Sequence, residues 1–178
     1  TSKQYGTGRG QTEQPVFTKL TAHGASTFKL FPLLAALSTG VPSDWKLTTV
    51  GSTGSYKPKN CGNLGKHYKG VVNGDANVFY SQTETLASAT AKSSNTFFVG
   101  MTDELFNCQL QPIVDIMTKL GMKSMQAHDP GDNPKLTYAQ NLVANNRDQQ
   151  LVLGSIPTSP LELAGAYAAV ANGGEYNE

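Results

Sequence analysis

Apolar positions along this chain gather into helical stretches, and long polar, glycine-rich connections separate them. Phe28, Leu30, Phe31, Leu33, Leu34 and Leu37 put apolar side chains on every side of one segment, a distribution that belongs to a helix buried all round rather than to an amphipathic surface helix. It is expected to start near Ser26 and to stop near Gly40-Val41-Pro42, where glycine and proline end helices readily. Pro32 has no N–H to donate to the Phe28 carbonyl and its ring crowds that oxygen, so a kink is expected there. Residues 43 to 80, rich in Gly, Ser, Asn and Lys, read as a long irregular connection. A helix from about Thr83 to Lys92, apolar at Leu86, Ala87 and Ala89, should end just before Ser93 and leave Ser93-Ser94-Asn95 in a loop. Another helix is expected from Thr96 to Leu105.

Two later elements carry sharper signals. Pro112 at a first helical position, Ile113, Ile116, Met117 and Leu120 at i, i+3, i+4, i+7 spacing, and Gly121 as terminator define a short amphipathic helix whose stripe is core. Ser159-Pro160-Leu161-Glu162 is a capping box, and Asn172-Gly173-Gly174 supplies a stop, so Pro160 to Ala171 is helix. Its small residues Ala164, Gly165, Ala166, Ala168 and Ala169 permit a neighbour to approach closely. Thr1 to Gln14 is polar and glycine-rich and reads as loop. Alternating apolar runs of the kind that mark core strands are scarce, so the chain is expected to be mostly helix.

At 178 residues the chain can build one core of ordinary size, although its 38% hydrophobic content is below the usual share. Fourteen basic against thirteen acidic residues give a net charge of +1 without a run of Lys or Arg, so neither nucleic acid nor an anionic membrane is indicated as a partner. No apolar stretch approaches the roughly 20 residues that span a bilayer, and the polar start does not resemble a signal peptide. Cys61 and Cys108 are compatible with one disulfide in an oxidising compartment, and two free thiols fit the same count.

Chemistry enters at Ser26-Thr27-Phe28-Lys29. Residues three apart share a helix face, so the Ser26 hydroxyl and the Lys29 amine come within hydrogen-bond reach, a nucleophile beside its base. An ordinary lysine is protonated at neutral pH. Burial beside the apolar run and the positive end of the helix would both lower the amine pKa. Other candidates fit poorly. Gly6-Thr7-Gly8-Arg9-Gly10 has neither dinucleotide nor P-loop spacing and reads as a turn. His23, His67 and His128 lack zinc-site spacing and read as surface or loop residues. Asp129 and Asp132 do not match a calcium loop, and Asp103-Glu104 are adjacent rather than facing. No cofactor and no metal is expected.

Gly24-Ala25-Ser26-Thr27-Phe28-Lys29, with Phe31 and Leu34-Ala35-Ala36-Leu37, resembles the S-x-x-K segment of penicillin-binding protein transpeptidase domains. Ser93-Ser94-Asn95 running into Thr96-Phe97 is similar to that family's S-x-N segment. Leu153-Gly154-Ser155, then Ser159-Pro160-Leu161-Glu162-Leu163-Ala164 through Ala171-Asn172-Gly173-Gly174, is similar to a third segment of the family, and Tyr56-Lys57-Pro58-Lys59-Asn60 resembles a "YxPxN" element ahead of the second motif. The matches are ordered and span Gly24 to Gly174. Ala25 and Leu30 stand where the family usually has Gly and Pro, and no Lys-Thr-Gly, Lys-Ser-Gly or His-Thr-Gly follows Ser93.

The resemblance implies one partial transpeptidase domain over 1–178, with 1–23 a leading loop and 24–178 a helical region carrying both motifs. The expected fold class is mainly α in this chain: the helical portion of the mixed α/β penicillin-binding protein/β-lactamase-like fold, with most sheet strands, including the K-T-G strand, outside the sequence. It also implies a peptidoglycan DD-transpeptidase that passes through a Ser26 acyl-enzyme, with Lys29 as base, Ser93 as proton relay and Asn95 holding both the Lys29 amine and the substrate amide. Ser94 is expected to face away. The implied partners are peptidoglycan stem peptides, β-lactam antibiotics and the remaining N- and C-terminal parts of the same protein, at the extracytoplasmic face of the bacterial cell membrane. DD-carboxypeptidase and serine β-lactamase are the enzymatic rivals, although no Glu lies between Glu104 and Glu162 to serve deacylation in the class A manner. A non-catalytic β-lactam sensor or structural domain is the rival from another class.

Overall fold

The structure is a computed structural model, and it describes residues 4–13, 17, 22–61, 70–128 and 133–176. It is mostly helical, as the scarcity of alternating runs implies. The leading segment holds β1 (Gln4–Tyr5) paired in parallel with β2 (Gln11–Thr12) around the Gly6–Gly10 turn, followed by β3 (Ala22–His23). The polar start is thus not pure loop. Its pairings are two residues long and contribute no core layer. His67, Asp129, Asp132 and the outermost parts of the Thr1–Gln14 stretch lie outside the described residues.

The segment around Ser26 differs from the expected single helix. Ala25–Lys29 forms a 3-10 turn, and α1 runs from Leu30 to Ser38. Pro32 therefore falls in the first turn of α1, where backbone N–H groups have no helical partner, and it breaks no bond. The kink is avoided because the helix starts later. The burial is also one-sided: Phe28, Phe31, Ala35 and Ala36 are fully buried, whereas Leu33 and Leu34 are half-buried and Leu37 is exposed.

β4 (Lys46–Thr48) pairs antiparallel with β5 (Thr83–Thr85), which takes the first residues of the expected 83–92 helix. α2 is left with Leu86–Ala91, begun by Thr85, whose hydroxyl accepts from the Ser88 N–H while the Ser88 hydroxyl accepts from the Thr85 N–H. α3 (Asn95–Phe106) is the central element, with Phe97, Phe98, Val99 and Met101 fully buried. α4 (Gln111–Lys119) carries the expected stripe, with Ile113 and Met117 in the core against α1. A second 3-10 turn covers Lys123–Gln126, and α5 (Tyr138–Ala144) and α6 (Asp148–Val152) complete the middle of the chain.

β6 (Pro157–Thr158) pairs antiparallel with β3 and leads into α7 (Pro160–Ala171). The capping box expected there is half made. Ser159 Oγ accepts from the Glu162 N–H at 3.4 Å, but the Glu162 carboxylate turns to the N–H and hydroxyl of Ser124 and so anchors the second 3-10 turn. Glu162 reaches a distant donor because α7 and that turn are packed side by side, a fact of tertiary structure alone.

Asp103, on α3, is fully buried and is not half of any carboxylate pair. It accepts the Tyr56 hydroxyl at 2.9 Å and the backbone N–H groups of Lys59 and Asn60 at 2.8 and 2.7 Å, while Asn60 Nδ2 donates to its carbonyl. The Tyr56–Asn60 element is thereby strapped to α3. Cys61 and Cys108 form a disulfide with Cα atoms 4.9 Å apart, closing the same junction. Potential ligand atoms of Cys61, Asp103 and Cys108 lie within 4.8 Å of one another. With the sulfurs joined and the carboxylate already bonded, the trio is a structural knot.

Candidate active site

Residues of the 3-10 turn, the α2–α3 connection and α3 converge on Lys29, which is 5% exposed. The 3-10 turn brings its own Ser26, because residues i and i+3 eclipse in that geometry and Lys29 Nζ lies 3.1 Å from Ser26 Oγ. Ser93 comes from the connection between α2 and α3, and Asn95 from the start of α3. Nζ lies 2.7 Å from the Ser93 carbonyl, 3.0 Å from Ser93 Oγ and 2.6 Å from Asn95 Oδ1. The Phe98 ring closes the back, 5.9 Å from Nζ.

Local chemistry explains each position. Ser93 has φ +54, the left-handed conformation that commonly follows a helix C-terminus, and its N–H returns to the Thr90 carbonyl of α2. That conformation turns both its carbonyl and its hydroxyl to Lys29. Ser94, fully buried, does face away: it caps α3 by accepting from the Phe97 N–H at 3.3 Å and donates to Asn73 Oδ1. Asn95 is the first residue of α3, and its Nδ2 donates to the Val72 carbonyl at 3.1 Å, which leaves Oδ1 for Lys29. Asn73 was not signalled by any motif. It accepts from the Thr96 N–H and donates to Gly51 O and Thr96 Oγ1, bracing the start of α3 from the irregular connection.

The Ser26 turn is braced from the other side. Ala25 has φ +47, unusual for a residue with a side chain, and its N–H donates to the Gly154 carbonyl at 3.0 Å. A Cβ on Gly154 would lie 2.1 Å from the Ala25 carbonyl oxygen, so only glycine permits that approach. Ala25 stands where the resembled family usually has glycine, the residue that adopts a positive φ at no steric cost.

The electrostatics follow from the acceptor set. All four groups around Nζ are neutral, so no anion offsets desolvation, and burial lowers the Lys29 pKa from 10.5 to about 8. Ser93 O and Asn95 Oδ1 are carbonyl oxygens that can only accept. In the neutral amine they use both N–H groups, and the lone pair is left for a hydroxyl. Ser26 Oγ–H can donate to it.

Ser26 itself is exposed and lies where two cavities meet. One, about 250 Å³, is walled by Leu30, Leu33, Thr90, Phe98 and Tyr167. The other, also about 250 Å³, is polar and walled by Gly74, Asp75, Tyr80, Lys92 and Asn95. A larger cavity of about 420 Å³ beside α4 and α5 is lined by Gln111, Asp115, Thr118, Lys119 and Gln140 and contains neither Ser26 nor Lys29. Size does not locate the chemistry. Among the described histidines, His23 lies on β3 and His128 in an isolated strand bridge with Thr137.

Comparison with known proteins bears on the fold and the family. A search of curated proteins gives no match. Penicillin-binding protein A from M. tuberculosis, solved as a ceftriaxone acyl-enzyme complex, superposes with a TM-score of 0.59 at 21% identity, over 86% of this chain and 32% of that one. A crystal structure of PBPA from Mycobacterium tuberculosis gives 0.58 at 21% identity, over 86% of this chain and 33% of that one. The chain thus spans about a third of the length of those structures and shares their fold over that part. The family model described as penicillin binding protein transpeptidase domain matches residues 7–178, and the chain belongs to that family.

Proposed function

We propose that this chain carries the acylating centre of a peptidoglycan DD-transpeptidase. The observation that carries the reading is the Lys29 amine, whose two carbonyl acceptors leave its remaining valence to the flanking hydroxyls of Ser26 and Ser93. Ser26 Oγ attacks the carbonyl carbon of the penultimate D-alanine of a stem peptide as its proton passes to Lys29 Nζ. The bond to the terminal D-alanine breaks, and the leaving amine takes its proton through the Ser93 hydroxyl, itself 3.0 Å from Nζ. An ester on Ser26 remains, which an acceptor amine resolves by the reverse proton route. Asn95 keeps the amine aligned and offers its amide group to the substrate.

β-Lactams present the same acyl chemistry and would be trapped on Ser26. Stem peptides and β-lactams are accordingly the proposed ligands, and the rest of the protein, beyond the third of its relatives' length spanned here, is the proposed source of the remaining sheet and of any membrane anchor. The proposed location is the extracytoplasmic face of a bacterial membrane. Two considerations support it: a disulfide persists in oxidising compartments, and peptidoglycan is outside the membrane. No helix among the described residues is long and apolar enough to cross a membrane.

The test is incubation of the full-length protein with penicillin followed by peptide mass mapping. An adduct on the peptide containing Ser26 that disappears in Ser26→Ala is the expected result. No adduct on Ser26 in the wild-type protein overturns the reading.

A further inference from the structure

Ser26 serves as a nucleophile only if the turn bearing it is held still, yet Ala25, Ser26 and Thr27 are all exposed and Ala25 is strained. Two hydrogen bonds from outside the turn flank the serine. On one side the Ala25 N–H donates to the Gly154 carbonyl at 3.0 Å. On the other, the Tyr167 hydroxyl donates to the Thr27 carbonyl at 2.8 Å. That carbonyl also accepts a backbone N–H where the turn passes into α1, so both of its lone pairs are occupied. Tyr167 stands on α7, and its ring walls the cavity that contains Ser26, Lys29 and Leu33.

We propose that Tyr167 is a positioning residue for Ser26: its hydroxyl fixes the Thr27 carbonyl to α7 and thereby sets the direction in which Ser26 Oγ meets the acyl carbon. The role rests on Ser26 being the acylated nucleophile. It needs no proton transfer through the phenol, whose partner is a backbone carbonyl rather than Ser26 or Lys29. Burial raises the Tyr167 pKa above 10.0, so the hydroxyl remains a donor through the range in which Lys29 titrates. Together the two bonds make the Ser26 turn a clamped segment. Both jaws, Gly154 and Tyr167, come from the stretch between Leu153 and Gly174, so that stretch holds the turn as well as packing beside it.

Tyr167→Phe keeps the ring and removes only the donor, which separates positioning from cavity lining. Stopped-flow acylation of the full-length protein by a fluorescent penicillin resolves the initial binding constant from the first-order acylation constant. In Tyr167→Phe the acylation constant is expected to fall about tenfold, on the scale of small misplacements of reacting atoms. Initial binding, the melting temperature and the apparent pKa of the rate profile should be unchanged. Acylation at the wild-type rate overturns the proposal, and so does a loss shared with initial binding and melting temperature, which marks a packing role. The wild-type control keeps the two readings apart. Failure to label Ser26 there overturns the transpeptidase reading, whereas normal labelling with an unaffected Tyr167→Phe rate overturns only the positioning role.

Discussion

An amine of ordinary pKa holds its proton at neutral pH, and Lys29 departs from that because its buried site supplies only neutral acceptors and brings its pKa to about 8. The acylation rate should therefore rise with pH through about 8 and level off above it, and stopped-flow rates across that range check it. Lys29→Arg, which stays protonated, should abolish the rise and lower the rate at least about a hundredfold. Stability carries the same signature. Between about pH 8 and 10.5 the folded protein binds fewer protons at this site than the unfolded chain, so stability should increase with pH across that window. Comparing denaturant midpoints of wild type and Lys29→Met at both ends isolates the effect, and a pH slope identical in the two proteins would refute it. Ser26, Lys29, Ser93 and Asn95 were all legible as candidates from motif and spacing. The φ of +47 at Ala25 was not, because it arises from the docking of that residue on Gly154. Ala25→Gly should relieve it and stabilise the protein by about 0.5–1 kcal/mol in a denaturant titration.

Elements that were marked by their own residues emerged where expected. Pro112 with its apolar stripe gave α4, and Pro160 with Asn172-Gly173-Gly174 gave α7 almost to the residue. α5 was missed although its start is written plainly: Thr137 and Gln140 form a reciprocal capping box. α6 is five residues long and has no side-chain cap, so no local signal announced it. Its consequence is nonetheless large, since Gly154 follows it and accepts the Ala25 N–H. Gly154→Ala would place a Cβ 2.1 Å from the Ala25 carbonyl oxygen and 2.7 Å from its nitrogen, both backbone atoms. The Ser26 turn must shift to admit it. Acylation should fall by about a hundredfold or more and stability by about 2–3 kcal/mol, read from labelling rates and thermal melts. The expected kink at Pro32 failed for an element-scale reason, because the 3-10 turn delays the α-helix until the proline lies where it displaces no bond.

At the scale of the molecule, the site depends on an irregular connection whose described residues hold little secondary structure. Asp103 and the Cys61–Cys108 disulfide pin one end of it to α3, and the bridge between Tyr56 and Val71 carries it back to Val72 and Asn73, which hold Asn95 and Thr96. The disulfide joins residues 47 apart, and its reduction should cost about 4 kcal/mol by loop-closure entropy. Denaturant midpoints of the full-length protein with and without reductant measure this. Asp103→Ala should cost about 3 kcal/mol on the same measurement, since it leaves a buried phenol and two N–H groups without their acceptor. The sequence by itself determined the candidate nucleophile and base, whose three-residue spacing lets local geometry bring them together, and the ordered motifs by which the chain resembles its family. Tertiary structure alone decided that the cysteines pair, that Glu162 caps a distant turn, that Asn73 steadies α3, and that Gly154 and Tyr167 clamp the serine. Each of these joins residues far apart in the chain, and no local periodicity records which distant partner a hydrogen-bonding group will find.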